Sequence, residues 1–99
     1  MNTTVTQYIR SLNRRNFTKN VQRVLFNLLT SETNMVSRGS LRVPSATSRL
    51  RDLRKDQYGA FQITCLHSSE LGRTGTPTTF YRLNTNNITV NQLRAVFES

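Results

Sequence analysis

Apolar residues recur at helical spacing in four separate stretches of the chain. The i, i+3, i+4, i+7 spacing predicts helices over about 5–13, 19–31, 45–56 and 90–98. The apolar stripe of the second stretch is the fullest, so we expect that helix to be the centre of the core. Its members are Val21, Val24, Leu25, Leu28 and Leu29.

Residues that can cap free amide groups stand before each of these helices. Thr4–Gln7 and Thr89–Gln92 have the spacing of a capping box, in which a Thr is followed three residues later by a Gln. Thr18 is the predicted cap of the second helix, and Ser45 is the predicted cap of the third. Pro44 disfavours a helical residue before it, so the third helix is predicted to begin after this proline.

Alternating apolar and polar residues indicate two strands in the second half of the chain. The apolar members of the first are Phe61, Ile63 and Cys65. A second run over 79–83 places Tyr81 and Leu83 on one face. The residues between, 68–78, contain two Gly, one Pro and several Ser and Thr, which predicts a loop. The two strands therefore form a predicted β-hairpin with Arg73 at or near its tip.

The segment between the second and third helices carries turn signals. Met35–Val36 is predicted as a brief strand. Ser37 can cap a helix of one or two turns that ends near Leu41, although Gly39 weakens it. Helix, short helix, turn and helix is the order of a helix-turn-helix unit.

The helix predicted over 45–56 has two different faces. Ala46, Leu50 and Leu53 fall at i, i+4 and i+7 and form a narrow apolar stripe. The opposite face carries Thr47, Ser48, Arg51 and Lys55, with Arg54 on its flank. Small residues allow a backbone to approach a surface closely, and cations can then reach phosphates or base edges. This pattern is typical of a DNA recognition helix, and the alternative is an ordinary surface helix with a solvated charged face.

Charge strengthens the nucleic-acid interpretation. The 99 residues include 14 Lys and Arg against 5 Asp and Glu, a net charge of +9. Such an excess repels itself unless a polyanion relieves it. Twelve of the cations are Arg, whose planar fork suits phosphate and the guanine edge. Double-stranded DNA is therefore the leading expected partner, and an anionic membrane surface is a weaker rival.

The chain shows neither an apolar run of membrane-spanning length nor a signal-peptide core. Its single cysteine, Cys65, excludes an internal disulfide. We therefore expect one soluble, cytoplasmic domain of residues 1–99, without a membrane partner.

The string Ser48–Lys55, with Phe61–Ile63 soon after, resembles small bacterial and phage winged-helix proteins. Those proteins carry an Arg-hydrophobic-x-Asp-Leu-Arg-Lys helix followed by a strand, and the resemblance covers about residues 18–83. It implies an α+β winged helix-turn-helix fold: a three-helix core plus a β-hairpin wing, with short N- and C-terminal helices added. It also implies duplex DNA binding by a transcription regulator, with Asp52 as a helix-face contact or internal salt-bridge partner. Gln57–Ala60 makes the connection to the strand longer than in that pattern.

On this interpretation the third helix lies in the major groove, with Thr47, Ser48 and Arg51 nearest the bases. Arg73 would enter the minor groove, and its alternative is a loop tip in water. The remaining predicted DNA contacts are Ser45 at the helix start, Arg54 and Lys55 at its end, and Arg38 and Arg42 before it. Four further cations could add phosphate contacts or be merely solvated: Arg14, Arg15, Lys19 and Arg23.

Catalysis, cofactors and metals are not expected. The five carboxylates are scattered, there is one His, and no nucleophile motif or glycine-rich phosphate loop is present. Cys65 and His67 would supply two of the four ligands of a zinc site, so a dimer would have to complete it. We expect instead that Cys65 is a small buried residue and His67 a strand-end polar group.

A second copy of the chain is the other expected partner. A module of this size reads few base pairs, so useful specificity usually needs a homodimer. The helix over 90–98 must dock on its own domain or on that second copy, because it is too short to be stable alone. Two alternatives to a regulator remain: an excisionase-like protein that bends DNA during recombination, and a module that grips RNA or an acidic protein.

Overall fold

The computed structural model describes residues 2–68 and 78–99. These residues form an α+β structure of four α-helices and one three-stranded antiparallel sheet. The helices are α1 (Thr3–Ser11), α2 (Asn20–Thr30), α3 (Ala46–Leu53) and α4 (Val90–Phe97). The strands are β1 (Met35–Ser37), β2 (Ile63–Ser68) and β3 (Thr78–Leu83). The predicted helices, brief strand and hairpin strands are confirmed.

Short 3-10 turns connect these elements at Arg14–Asn16, Arg38–Ser40 and Asp56–Tyr58. The predicted short helix before α3 is thus a single 3-10 turn. Ser37 caps it as predicted, because its Oγ accepts a hydrogen bond from the Ser40 N–H at 3.2 Å. Of the three consecutive core helices expected from the sequence, α2 and α3 are therefore α-helices, and the element between them is this 3-10 turn.

The third helix is shorter than predicted and ends at Leu53 rather than at residue 56. The Phe61 N–H donates to the Leu53 carbonyl at 2.8 Å, and the Ala60 N–H donates to the Lys55 carbonyl at 2.9 Å. These bonds turn the chain directly from α3 towards β2. The end of α3 and the start of the hairpin are therefore held together through the backbone.

The sheet has the strand order β1-β3-β2. In the hairpin, Ile63 lies opposite Leu83 and Cys65 lies opposite Tyr81; on the other side of β3, Val36 lies opposite Tyr81. Because side chains alternate along a strand, these residues share one face of the sheet. Ile63, Tyr81 and Leu83 are buried, so this is the face that packs on the helices.

One hydrophobic cluster joins the helices to the sheet. Its members without exposed surface are Val24, Leu25, Leu28, Leu53, Leu93 and Val96. Burial of one such aliphatic side chain stabilises the fold by about 1.5–3 kcal/mol. Three of them come from α2, which confirms its predicted place at the centre of the core.

The caps of α1 and α3 differ from those predicted. Asn2, rather than Thr4, caps α1, because its Oδ1 accepts a hydrogen bond from the Val5 N–H at 2.8 Å. Ser45 occupies the N-cap position of α3 but makes no side-chain capping bond. Its backbone is left-handed, with φ of 55°, whereas a capping side chain normally reaches the first-turn amides from an extended backbone. α3 thus enters from the Pro44 turn without the predicted cap.

The buried side chain of Gln22 connects α2 to α4. Its Oε1 accepts hydrogen bonds from the N–H groups of Thr18 and Lys19, both at 3.0 Å, which are the two backbone amides that precede α2. The N-cap residue is Lys19, so the predicted cap at Thr18 is wrong. Gln22 Nε2 donates to the Val96 carbonyl at 3.1 Å. Both ends of this amide are therefore paired although the residue is only 4% exposed.

The last helix begins at the predicted capping box. The Gln92 N–H donates to Thr89 Oγ1 at 3.2 Å, and the Thr89 N–H donates to Gln92 Oε1 at 2.8 Å. Leu93 and Val96 are fully buried within the same chain, so α4 docks on its own domain. A homodimer contact through residues 90–98 would have to use other side chains of this helix.

Replacing Gln22 with Ala is expected to lower the free energy of unfolding by about 2–3 kcal/mol, because buried amide and carbonyl groups lose their partners. Urea denaturation measures this loss. Gln7→Ala is the control, since Gln7 is exposed on α1 and should change stability by less than about 0.5 kcal/mol. Equal stability of the two variants would contradict the role of Gln22.

Gly59 lies where both conformation and space exclude a side chain. Its φ is +94°, and a Cβ there would lie 2.7 Å from Phe61 Cε2 and 2.9 Å from the Gln92 carbonyl oxygen. Gln92 Nε2 also donates to the Gly59 carbonyl at 2.9 Å, so α4 braces the turn that follows α3.

Gly59→Ala is therefore expected to destabilise the fold by about 2–4 kcal/mol, from left-handed strain and crowding together. Gly39→Ala is the matched control, because a Cβ at Gly39 meets nothing within 4 Å. Thermal and urea unfolding should show a large loss for the first variant and little change for the second. Comparable stability of the two would contradict the tight packing at Gly59.

Candidate nucleic-acid interface

The two faces predicted for α3 are present in the structure. Leu50 and Leu53 are 2% and 0% exposed and join the core. Thr47, Ser48 and Arg51 are exposed. An α-helix advances 100° per residue, so burial of the leucine stripe leaves these three side chains on the solvent side. The structure thus brings together the three residues predicted to lie nearest the bases.

Asp52 organises the charges along α3. Its Oδ1 lies 3.2 Å from Lys55 Nζ, and its Oδ2 lies 3.1 Å from Arg49 Nε, the latter outside the alignment of a hydrogen bond. The Asp52 side chain is 17% exposed, whereas that of Lys55 is 59% exposed. The salt-bridge role implied for Asp52 is confirmed. Lys55, a predicted phosphate contact, is exposed but already has an acidic neighbour.

Arg54 has a structural contact that the sequence did not indicate. Its Nη2 donates to the Ile63 carbonyl at 2.6 Å, which ties the C-terminal end of α3 to the first residue of β2. The residue remains exposed, so its other guanidinium donors face solvent. Arg54 can therefore hold the helix and the hairpin in a fixed relation while its free donors remain available to an anion.

The β2–β3 hairpin extends beyond the core. Along β2, Ile63 is buried, but Cys65, Leu66 and His67 are all exposed. The prediction of a buried Cys65 is wrong, because β2 is an edge strand and Cys65 has a neighbouring strand on one side only, whereas its partner Tyr81 on the central strand is buried. The Arg73 prediction falls on residues 69–77, which lie outside the described part of the chain.

The end of the hairpin carries a small polar cluster. His67 Nδ1 lies 3.1 Å from Thr79 Oγ1, and His67 Nε2 lies 3.7 Å from Cys65 Sγ. His67 is therefore a polar group near the strand end, as predicted. In the described ranges 2–68 and 78–99, no group of three or more His, Cys, Asp and Glu is placed to hold a metal ion.

Arg38 and Arg42 lie in the 3-10 turn and in the turn before α3, and both are exposed. Arg42 is joined to α3 by only Val43–Ser45. The predicted contacts on the flanking backbone are thus at the surface next to the N-terminal end of α3. Ser45 is exposed there too.

Two arginines from the first part of the chain are held in place against α2. The Arg14 guanidinium carbon lies 5.9 Å from the centroid of the Phe26 ring, within cation–π range. Arg23 donates through Nη1 to Asn20 Oδ1 at 2.8 Å and through Nη2 to the Phe17 carbonyl at 3.1 Å. Arg15 and Lys19 are exposed, and Lys19 Nζ lies 3.3 Å from Ser99 Oγ. Arg14 and Arg23 are therefore positioned by neighbouring groups of the same chain.

Comparisons with protein-family models, with curated proteins and with solved structures found no match to this chain. Among the described helices, none has the length and apolar character needed to cross a membrane.

Arg54→Ala is expected to destabilise the fold by about 1 kcal/mol, because a charge-assisted hydrogen bond to the Ile63 carbonyl is lost from a partly exposed site. Arg51→Ala is the control, since this exposed residue of the same helix should leave stability within about 0.5 kcal/mol. Urea denaturation compares the two, and hydrogen exchange of the β2 amides locates the loss. Unchanged exchange in β2 would contradict the tie between helix and hairpin.

Proposed function

We propose that this protein binds double-stranded DNA sequence-specifically, as a small transcription regulator of the winged helix-turn-helix type. The observation that carries the proposal is the division of α3 into a buried leucine back and an exposed front of Thr47, Ser48 and Arg51. The front is small at its start and cationic further along, which suits close approach to base edges.

The order of elements supports this proposal. α2, β1, a 3-10 turn, α3 and the β2–β3 hairpin follow one another, and the sheet order is β1-β3-β2. This layout is compatible with a winged helix, with α3 as the recognition helix and the hairpin as the wing. Arg54 fixes one to the other through the Ile63 carbonyl.

The dimensions of α3 fit the proposed role. Its 8 residues span about 12 Å, and a helix about 10–12 Å across enters a major groove about 12 Å wide. A helix of this length presents about two turns to the groove, so it reads only a few base pairs. Two copies on one site are therefore part of the proposal, because a single footprint of this size gives little specificity.

The protein acts by occupying its site on DNA, and no covalent bond is made or broken. The net charge of +9 draws the protein to DNA by a salt-dependent attraction that is independent of sequence. Arg51 then reads a base edge, and Thr47 and Ser48 allow the helix to approach closely. Exposed cations around α3 hold the flanking phosphates.

Selection from a pool of random duplexes tests the proposal. An enriched motif that outcompetes bulk DNA, duplex RNA and heparin at physiological salt would support it, and a palindromic motif would support two copies. Absence of any enriched motif would overturn sequence-specific binding. Preference for RNA or heparin over every duplex DNA would overturn DNA as the partner.

Arg51→Ala is expected to weaken binding to the selected motif by about 1–3 kcal/mol and to relax preference at one base position, because a contact to a base edge is lost. Arg10→Ala is the matched control: an exposed arginine on α1 with the same charge removed. Fluorescence anisotropy with a set of single-position variants of the motif measures both effects. Equal losses on every sequence would reassign Arg51 to a phosphate.

A further inference from the structure

A groove of about 380 Å³ lies between α2 and the turn that leads into α3. Three arginines from separate segments line it: Arg14 from the first 3-10 turn, Arg23 from α2 and Arg42 from the turn. No carboxylate is among its lining residues, which are all in the described part of the chain. Cations that line one groove without an acidic lining residue give it a positive potential, so the free groove favours an anion.

Two of the three guanidinium groups are positioned before any ligand arrives. Arg14 lies over the Phe26 ring, and Arg23 is fixed by Asn20 and the Phe17 carbonyl. Fixing a long side chain on binding costs conformational entropy, and for these two side chains much of that ordering is already present. Each guanidinium retains further N–H donors, because Arg carries five.

The groove also has polar lining groups that suit a phosphate, beside an apolar part formed by Val36, Leu41 and Val43. Asn27 offers amide donors along the groove, whereas the hydroxyl groups of Thr30 and Ser40 already donate to the Phe26 and Ser37 carbonyls. The groove opens to solvent, whereas sites for small molecules usually enclose most of their ligand. An open, cationic and hydrogen-bonding groove suits one stretch of an extended polyanion.

We propose that this arginine groove binds backbone phosphates of the same duplex that α3 reads. The inference rests on the proposed function and extends it to a second contact surface. Arg42 stands four residues before Ala46, so the groove lies within about 15 Å of the start of α3 along the chain. Each DNA strand carries one phosphate per about 3.4 Å of helix axis, so a duplex engaged by α3 brings phosphates to the groove.

The groove and α3 then have separate tasks. Contacts to phosphate fix position and add affinity on every sequence, whereas contacts to base edges discriminate among sequences. Loss of groove arginines should therefore weaken binding equally on specific and unrelated duplexes. It should also reduce the salt dependence, since each neutralised phosphate contributes a slope of about 0.9.

The test uses the double variant Arg14→Gln with Arg42→Gln. Arg23 is left unchanged because it bonds the backbone of Phe17. The matched control is Arg10→Gln with Arg94→Gln, which removes two exposed arginines from α1 and α4. Dissociation constants for the selected duplex and for an unrelated duplex are measured across a salt series, and circular dichroism checks that each variant is folded.

The groove variant is expected to lose equal affinity, about tenfold or more at low salt, on both duplexes, and its salt slope should fall by about 2 relative to the control. A slope equal to that of the control would overturn the proposal. Amide shifts at Ser40 and Arg42 with pyrophosphate, together with an unchanged DNA slope, would assign the groove to a small anion and would also overturn it.

Failure of the groove and failure of the proposed function give different results. If Arg51→Ala loses sequence preference while the groove variant matches its control, the groove assignment is wrong and base reading stands. If the groove variant lowers the slope on every duplex while no motif is ever enriched, the groove holds phosphate and sequence-specific reading is wrong.

Discussion

Burial of Leu50 and Leu53 is the constraint on which the proposed interface depends. These two side chains fix the rotation of α3 about its own axis, since turning them out would expose two leucines at a cost of about 1.5–3 kcal/mol each. Because this rotation is fixed, Thr47, Ser48 and Arg51 face solvent. The cationic front is thus a consequence of apolar packing on the opposite side.

The position of the hairpin relative to α3 depends on hydrogen bonds at the C-terminal end of α3. The Phe61 N–H bonds the Leu53 carbonyl, and Arg54 bonds the Ile63 carbonyl. Helix and hairpin are therefore linked twice within a few residues, once through backbone and once through a side chain. Gly59 makes the intervening turn possible, and α4 closes over it through Gln92.

Periodic patterns predicted much of this fold. Three features follow from the spacing of residues that are close in the sequence: the helical stripes, the inward face of the hairpin and the capping box at Thr89–Gln92. All three are present in the structure. Local chemistry was less informative where several residues compete for one task. Asn2 and Thr4 can both cap α1, and the register of the first turn decides between them.

Contacts between distant segments could not be read from the sequence. Three features depend on how whole elements are arranged relative to one another: the pairing of β1 with β3, the exposure of Cys65 and the hydrogen bond from Arg54 to the Ile63 carbonyl. The arginine groove belongs to this class. The sequence offers Arg14, Arg23 and Arg42 only as separate candidate phosphate contacts, and the tertiary fold shows that they line one groove.

The bond from Gln22 to the Val96 carbonyl spans 74 positions, and Leu93 beside it is wholly buried. Proteins are synthesised from the N-terminal end, at about 5–20 residues per second. The hydrophobic residues of α2 therefore stay partly exposed during synthesis until α4 has emerged from the ribosome and can pack on them. For a chain with this architecture, the seconds before that moment are when chaperones or neighbouring nascent chains would meet its exposed leucines.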